Sequence, residues 1–373
     1  MCRSSRVRIP GLDWVWVQTV GMDETRRAFL EDLLAARGPS GHETAAQRAW
    51  VDYVREYADR VETDAYGNAV AVHEGGDTSV AFTGHADEIG FVVSEVSGDG
   101  FLRISPVGGL DKTVTRGSQV RIETDDGPVN GVVGQAAVHL RGKKDDGVPS
   151  VTEQHVDIGA ANEDDARELV SVGDPGVVVA EAQDLAGSRL NARGLDNRAG
   201  LWVAAEGFRR AAEADVDATV YAVSTVQEEL GTKGAKMVSF DLDADAVVAV
   251  DVTHAADDPN YPGDRASEVA LGDGPTVTRG AANHPEVVAE LRDTADDEGL
   301  SVQVEAQRLT TGTDADAFFT ARGGVPTANL GVPNRYMHTP AEVVDTEDLS
   351  VGADLLAAFA ARASDRDSFA VEF

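Results

Sequence analysis

Apolar residues recur at helical spacing over residues 23–36, and Gly38-Pro39-Ser40-Gly41 closes that run. Residues 43–58 form a second amphipathic stretch, with Ala46, Trp50, Tyr53, Val54 and Tyr57 on one face. Short strands with a turn at Gly67-Asn68 are predicted over 61–73, and a further strand over 78–83 delivers Gly84-His85-Ala86-Asp87-Glu88. From 91 to 180 the pattern changes. Val and Gly dominate, short strands are predicted at 101–104, 119–123 and 129–135, and the one helical signal lies at 162–169. Helix and strand then alternate: helices at 201–214, 234–240, 285–298, 314–322 and 346–361, strands at 218–225, 246–252, 302–305 and 327–332.

Buried strands alternating with helices imply an α/β fold whose largely parallel sheet is covered by helices on both faces. The Val- and Gly-rich stretch fits a small β-rich domain inserted into that host. The expected division is an N-terminal extension over 1–21, a first catalytic part over 22–91, the insert over 92–180 and a second catalytic part over 181–373.

Composition narrows the partners. The 373 residues include 65 acidic against 32 basic ones, a formal charge of -33, spread along the chain in pieces such as Asp241-Asp243-Asp245 and Asp293-Asp296-Asp297-Glu298. Lysine occurs only at 112, 143, 144, 233 and 236. Such a field repels nucleic acid and anionic membranes, and it suits the cytoplasm of a salt-accumulating, halophilic organism, where salt screens the self-repulsion. Cys2 is the only cysteine, which excludes an intrachain disulfide and a cysteine zinc site. No stretch of apolar residues is long enough to span a membrane. Arg3, Arg6 and Arg8 precede a short apolar run, but Asp13 and Gln18 interrupt it and it lacks a cleavage site. Residues before Met22 therefore read as a tail, with Met22 as a candidate natural start.

Five potential metal ligands sit at or just beyond predicted strand ends: His85, Asp196, Glu229, Asp251 and His338. Two imidazoles with three carboxylates suit two borderline divalent ions per subunit, Zn2+ or Co2+. One carboxylate must bridge, and Asp196, in a tight glycine-containing loop, is the best candidate; the other four would divide two to each ion. Such a site clamps a bridging hydroxide and polarises a scissile carbonyl. Glu228, next to Glu229, remains free as general base. Asp87, two residues after His85, is placed to fix its imidazole tautomer. His254 fits either a supporting or a structural role, and His42, His73, His139, His155 and His284 have no local partner.

The ordered set Pro39-Ser40-Gly41, Gly84-His85-Ala86-Asp87-Glu88-Ile89-Gly90-Phe91, Leu195-Asp196-Asn197-Arg198-Ala199-Gly200, Thr225-Val226-Gln227-Glu228-Glu229-Leu230-Gly231, Asp251-Val252-Thr253-His254-Ala255, Gly312-Thr313-Asp314-Ala315 and Tyr336-Met337-His338-Thr339-Pro340 closely resembles the M42 family of metallopeptidases. These are the TET-type aminopeptidases, some of whose members carry the label endoglucanase. The resemblance extends from Met22 to the last helix. It implies His85 and Asp251 on one metal, Glu229 and His338 on the other, Asp196 bridging, Glu228 as base and Asp87 behind His85. It also implies a zinc-peptidase-like sheet interrupted by a PDZ-like β domain that serves dimerisation and assembly, a homododecamer built from dimers, and short peptide substrates cleaved at the N-terminal residue. The polar run 141–146 and the acidic run Glu163-Asp164-Asp165 depart from the family pattern and bear on assembly. A dinuclear carboxypeptidase or small-molecule amide deacylase is the alternative with the same ligand chemistry. A polysaccharide hydrolase would instead need two carboxylates flanking a glycosidic bond, and a non-catalytic assembly protein would have no need of Glu228.

Overall fold

The computed structural model describes residues 4–7, 15–18, 22–141, 147–262, 267–307, 309–366 and 368–373, with only the backbone of 4–7 and 15–18. Ser4–Val7 pairs antiparallel with Val15–Gln18. The rest of the expected extension and most of the polar run 141–146 lie outside the described residues.

An eight-stranded mixed sheet organises the larger part of the chain, in the order Gln303–Gln307, Thr276–Gly280, Thr327–Asn334, Ala246–His254, Ser79–His85, Thr219–Thr225, Ala69–His73, Arg60–Thr63. Its four central strands, from Thr327–Asn334 to Thr219–Thr225, run parallel; antiparallel pairing enters on both flanks. The sheet is therefore mixed with a parallel centre.

Successive side chains of these strands enter different cores, as period-two alternation requires. Val80, Phe82, Val220, Ala222, Val248 and Val250 pack into one cluster, with Trp50, Trp202, Phe208 and Phe359 from the helices on that face. Ala81, Val223 and Val247 pack into another, with Ala235 and Phe318. Burial on both faces explains why these strands read as continuous apolar runs. Each fully buried large side chain contributes on the order of 1.5–3 kcal/mol.

Local chemistry sets the helix limits. Asp23 accepts a hydrogen bond from the Arg26 amide and starts Glu24–Ala35. Pro285 opens Pro285–Glu298, and Gly299, in the left-handed region, closes it. The segment Leu195–Glu213 begins six residues earlier than the periodicity predicts, because its first turn, non-helical at Asp196 and Asn197, carries buried polar residues that mask the apolar pattern. Gly84 lets this helix approach the sheet. A Cβ there would lie 2.9 Å from both Cα and N of Leu201.

The chain between the two halves of the large sheet closes a six-stranded barrel from Gly90–Val96, Leu102–Val107, Gln119–Ile122, Val129–Val133, His155–Asp157 and Pro175–Val178. It has its own core, including Phe91, Val93, Leu102, Ile104, Val120, Ile122 and Val156. A small antiparallel sheet of Gln183–Asp184, Arg189–Ala192 and Glu342–Asp345 completes the strands.

Several further elements differ from expectation. The helix predicted over 314–322 is only Ala315–Phe318 followed by a 3-10 turn, Ala321–Gly323, because Arg322, Gly323 and Gly324 all adopt positive φ. Thr276–Gly280 was not foreseen; its threonines and arginine give no apolar alternation. Among the described residues no helix is long and apolar enough to cross a membrane.

Candidate metal centre

Parallel strands place their carboxyl ends on one rim, which is where open α/β sheets build sites. His85 is the last residue of Ser79–His85. Glu228 and Glu229 follow Thr219–Thr225 in a turn that Gln227 enters at φ 54°. Asp251 lies inside Ala246–His254, not at its end as expected, since the strand runs on to His254. His338 sits in the loop after Thr327–Asn334 at φ 63°. Asp196 occupies a non-helical first turn. Its neighbour Asn197 donates to the Val250 carbonyl at 2.8 Å and accepts from the Gly200 amide at 3.0 Å, which ties that turn to the strand carrying Asp251.

All five predicted ligands converge as two groups that share Asp196. His85, Asp196 and Asp251 form one and Asp196, Glu229 and His338 the other, with the donor atoms of each group within 4.8 Å of one another. His85 Nε2 stands 3.3 Å from Asp196 Oδ1 and 3.6 Å from Asp251 Oδ1. His338 Nε2 stands 3.2 Å from Asp196 Oδ2 and 3.4 Å from Glu229 Oε1. Each Asp196 oxygen thus faces a different histidine. Glu228 belongs to neither group, and its Oε2 lies 3.9 Å from His85 Nε2. These residues line a pocket of about 200 Å³.

Asp87 braces both sides. Its Oδ1 lies 3.3 Å from His85 Nδ1 and accepts the Glu228 amide at 2.9 Å; its Oδ2 accepts the Glu229 amide at 3.0 Å and the Ser40 hydroxyl. Burial works against this carboxylate, but the donors, led by His85, hold its pKa below the usual range. Both oxygens receive a backbone N–H, so an amide at this position meets a donor whichever way it is turned. Asp87→Asn is therefore expected to weaken metal affinity by about 10–100-fold, as read by chelator competition against the unchanged chain.

The electrostatics call for cations. Burial, with Asp251, Asp314 and Glu229 nearby, pushes Glu228 up to about 9. Hydrogen bonds to Asp196 and Glu229 push His338 up to about 11. His85 is raised well above its ordinary value: burial opposes, but Asp251 and Asp196 prevail. Asp196 is held low against burial by its bonds to His338 and His85. Protons here stand where positive charge is needed, and two imidazoles with three carboxylates are donors suited to borderline divalent ions.

Sequence reasoning did not single out three supports. Glu342, buried on the small sheet, accepts the Asp196 amide at 2.7 Å and the Asn334 side chain at 3.0 Å. Asp314, fully buried and pushed up to about 7 by burial, accepts from Thr225 at the base of the Glu228 turn. Glu88, also buried, binds Arg193 and the Gly38 amide. Glu88 and Asp314 lie inside motifs quoted above without a role attached to them, and nothing local distinguishes Glu342 in so acidic a chain. His254 lies exposed at its strand end, and none of the other five histidines joins either ligand group among the described residues.

The chain is similar in sequence and in structure to known peptidases. The M42 glutamyl aminopeptidase family matches residues 67–355. A lysyl aminopeptidase of Pyrococcus furiosus is 34% identical over 329 residues, 86% of this chain and 92% of the relative. An aminopeptidase structure from the archaeon Desulfurococcus kamchatkensis has a TM-score of 0.83 at 31% identity, covering 91% of this chain and 96% of that one. The Pyrococcus horikoshii TET1 peptidase, which can assemble into a tetrahedron or a large octahedral shell, has a TM-score of 0.80 at 28% identity, covering 90% and 99%. The chain belongs to the M42 family of peptidases, metal-dependent aminopeptidases.

Proposed function

We propose that this chain is a dinuclear aminopeptidase that releases the N-terminal residue of short peptides, with Glu228 as general base. The observation that carries the reading is the sharing of Asp196 between two three-residue donor groups. His85 and Asp251 would hold one divalent ion and Glu229 and His338 the other, with Asp196 shared between the two groups. Two ions held there, zinc or cobalt, supply Lewis acidity to the scissile carbonyl and acidify a water.

The chain's own residues do the rest. Glu228 is beside both ligand groups yet outside them, so its carboxylate takes the proton of the attacking water and returns it to the leaving amine. Asp87 keeps His85 turned into the site and anchors the backbone of Glu228 and Glu229. The pocket offers carboxylates for a free α-amine, and among the described residues no Lys or Arg lines it. That favours an aminopeptidase over a carboxypeptidase, which needs a cation for the terminal carboxylate. By extension, residues 92–180 act as the inserted domain through which subunits assemble, as a dimer-based homododecamer, and the charge of -33 suits a salt-rich cytoplasm.

Protons and metal compete for these ligands. Because the His338 pKa is raised, its imidazole carries a proton at neutral pH in the ion-free site and must lose it to bind metal. Zinc affinity is therefore expected to fall as pH falls from 8 to 6, with protons released on binding. Calorimetry in buffers of differing ionisation enthalpy reads that release directly.

The test of the function is cleavage, at high salt with zinc or cobalt, of peptides matched except for N-acetylation. Release of the first residue only when the amine is free is the expected result. Equal cleavage of blocked peptides, or release from the carboxyl end, contradicts it.

A further inference from the structure

Away from the paired ligand groups, the pocket continues over the edge of the large sheet, where Thr253, Asn329, Gln307 and the 311–313 loop line it. Glu305 and Gln307, two apart on Gln303–Gln307, share one face. Glu305 Oε2 accepts from Thr253 Oγ1 at 2.8 Å, although Thr276–Gly280 and Thr327–Asn334 separate their strands. Gly331, on the strand beside Thr253, keeps that face open. A Cβ there would stand 2.3 Å from Thr276 Oγ1 and 3.0 Å from Thr253 Cγ2.

This wall is rich in acceptors that lack donors. Glu305 stands behind the lining residue Thr253 rather than in the lining itself; among the described residues it has no ion-pair partner, and burial raises its pKa. Gln307 Nε2 donates to the Thr311 carbonyl at 3.1 Å, which fixes the amide's orientation, and its Oε1 is buried without a partner. Asn329 Oδ1 is likewise buried and unpartnered. Leaving such groups unpaired is unfavourable. A side chain with several donors and a positive charge satisfies them together.

We propose that this wall receives the side chain of the substrate's N-terminal residue and selects a cationic one, the ammonium of lysine or the guanidinium of arginine, with Glu305 as its counter-charge. The inference rests on the aminopeptidase reading above. An N-terminal glutamate would set like charges together, and a leucine would leave Glu305 without a counter-charge and both amide oxygens unpaired. A site built around hydrogen bonds discriminates strongly against analogues that lack them.

The experiment compares kcat/KM for fluorogenic amides of lysine, arginine, leucine and glutamate on the metal-loaded enzyme. Lysine and arginine are expected to exceed leucine and glutamate by at least about tenfold. Glu305→Gln is expected to lower the lysine-to-leucine ratio at least about tenfold, mainly through the KM for lysine, and Glu305→Lys to move preference towards glutamate. Gln307→Leu, which leaves the charge in place, is expected to lower the same ratio by a smaller factor. A wild-type preference for leucine or glutamate, or an unchanged ratio in Glu305→Gln and Gln307→Leu, overturns the pocket assignment while leaving aminopeptidase action intact. No cleavage of any free-amine substrate by the metal-loaded enzyme overturns the aminopeptidase reading and this assignment with it.

Discussion

Glu228→Gln is expected to lower kcat at least about a hundredfold, roughly 2.7 kcal/mol of transition-state stabilisation, while metal content stays that of the unchanged chain. Glu228 lies outside both ligand groups, with its Oε2 3.9 Å from His85 Nε2. Its amide is held by Asp87 Oδ1 through the backbone, which the substitution leaves in place. Glutamine keeps the size and loses the ability to take a proton. KM should change little, because the loss falls on the proton-transfer step. Pre-steady-state and steady-state rates, taken with metal analysis on the same sample, check both halves. Near-normal turnover with full metal content removes Glu228 from the mechanism; loss of metal makes it a ligand instead.

Asp196→Ala is expected to abolish measurable activity, a fall of more than about a thousandfold, and to release both ions together. Asp196 supplies the third donor to each group, so its loss leaves His85 with Asp251 and Glu229 with His338, two donors apiece. Two-donor sites hold divalent ions poorly. His338→Ala makes the contrast, since it touches one group only and should leave one ion per chain. Metal content by elemental analysis, with thermal melting to check the fold, separates the cases. If Asp196→Ala retains one tightly bound ion, Asp196 is not shared.

The legibility of the site in the sequence followed from the fold. His85, Glu228 and Glu229 come just after apolar runs whose burial on both faces made them plain as strands, so their position on the rim was readable. Asp251 reads as close to a strand end because Thr253 and His254 look like loop residues; pairing with Pro333 and Asn334 extends the strand through them. Pro285–Glu298 was fully legible, having proline at one end and glycine at the other. Thr276–Gly280, Arg189–Ala192 and Glu342–Asp345 were not, since they are short and their register is set by long-range pairing. The supports hidden in the sequence share that cause. Glu342 reaches the Asp196 amide from 146 residues away, and Glu305 reaches Thr253 from 52 away, so no local spacing reveals either. Asp87 was found because its partner is only two residues away.

The central claim is that two ions held through a shared Asp196 carry out the hydrolysis, and its most direct test is a titration of metal-free enzyme with zinc or cobalt. Rate of N-terminal residue release from a free-amine peptide is followed as equivalents are added. The account predicts negligible activity without metal and a rise that reaches its plateau at two ions per chain. A plateau at one ion, or full activity in the metal-free enzyme, contradicts it.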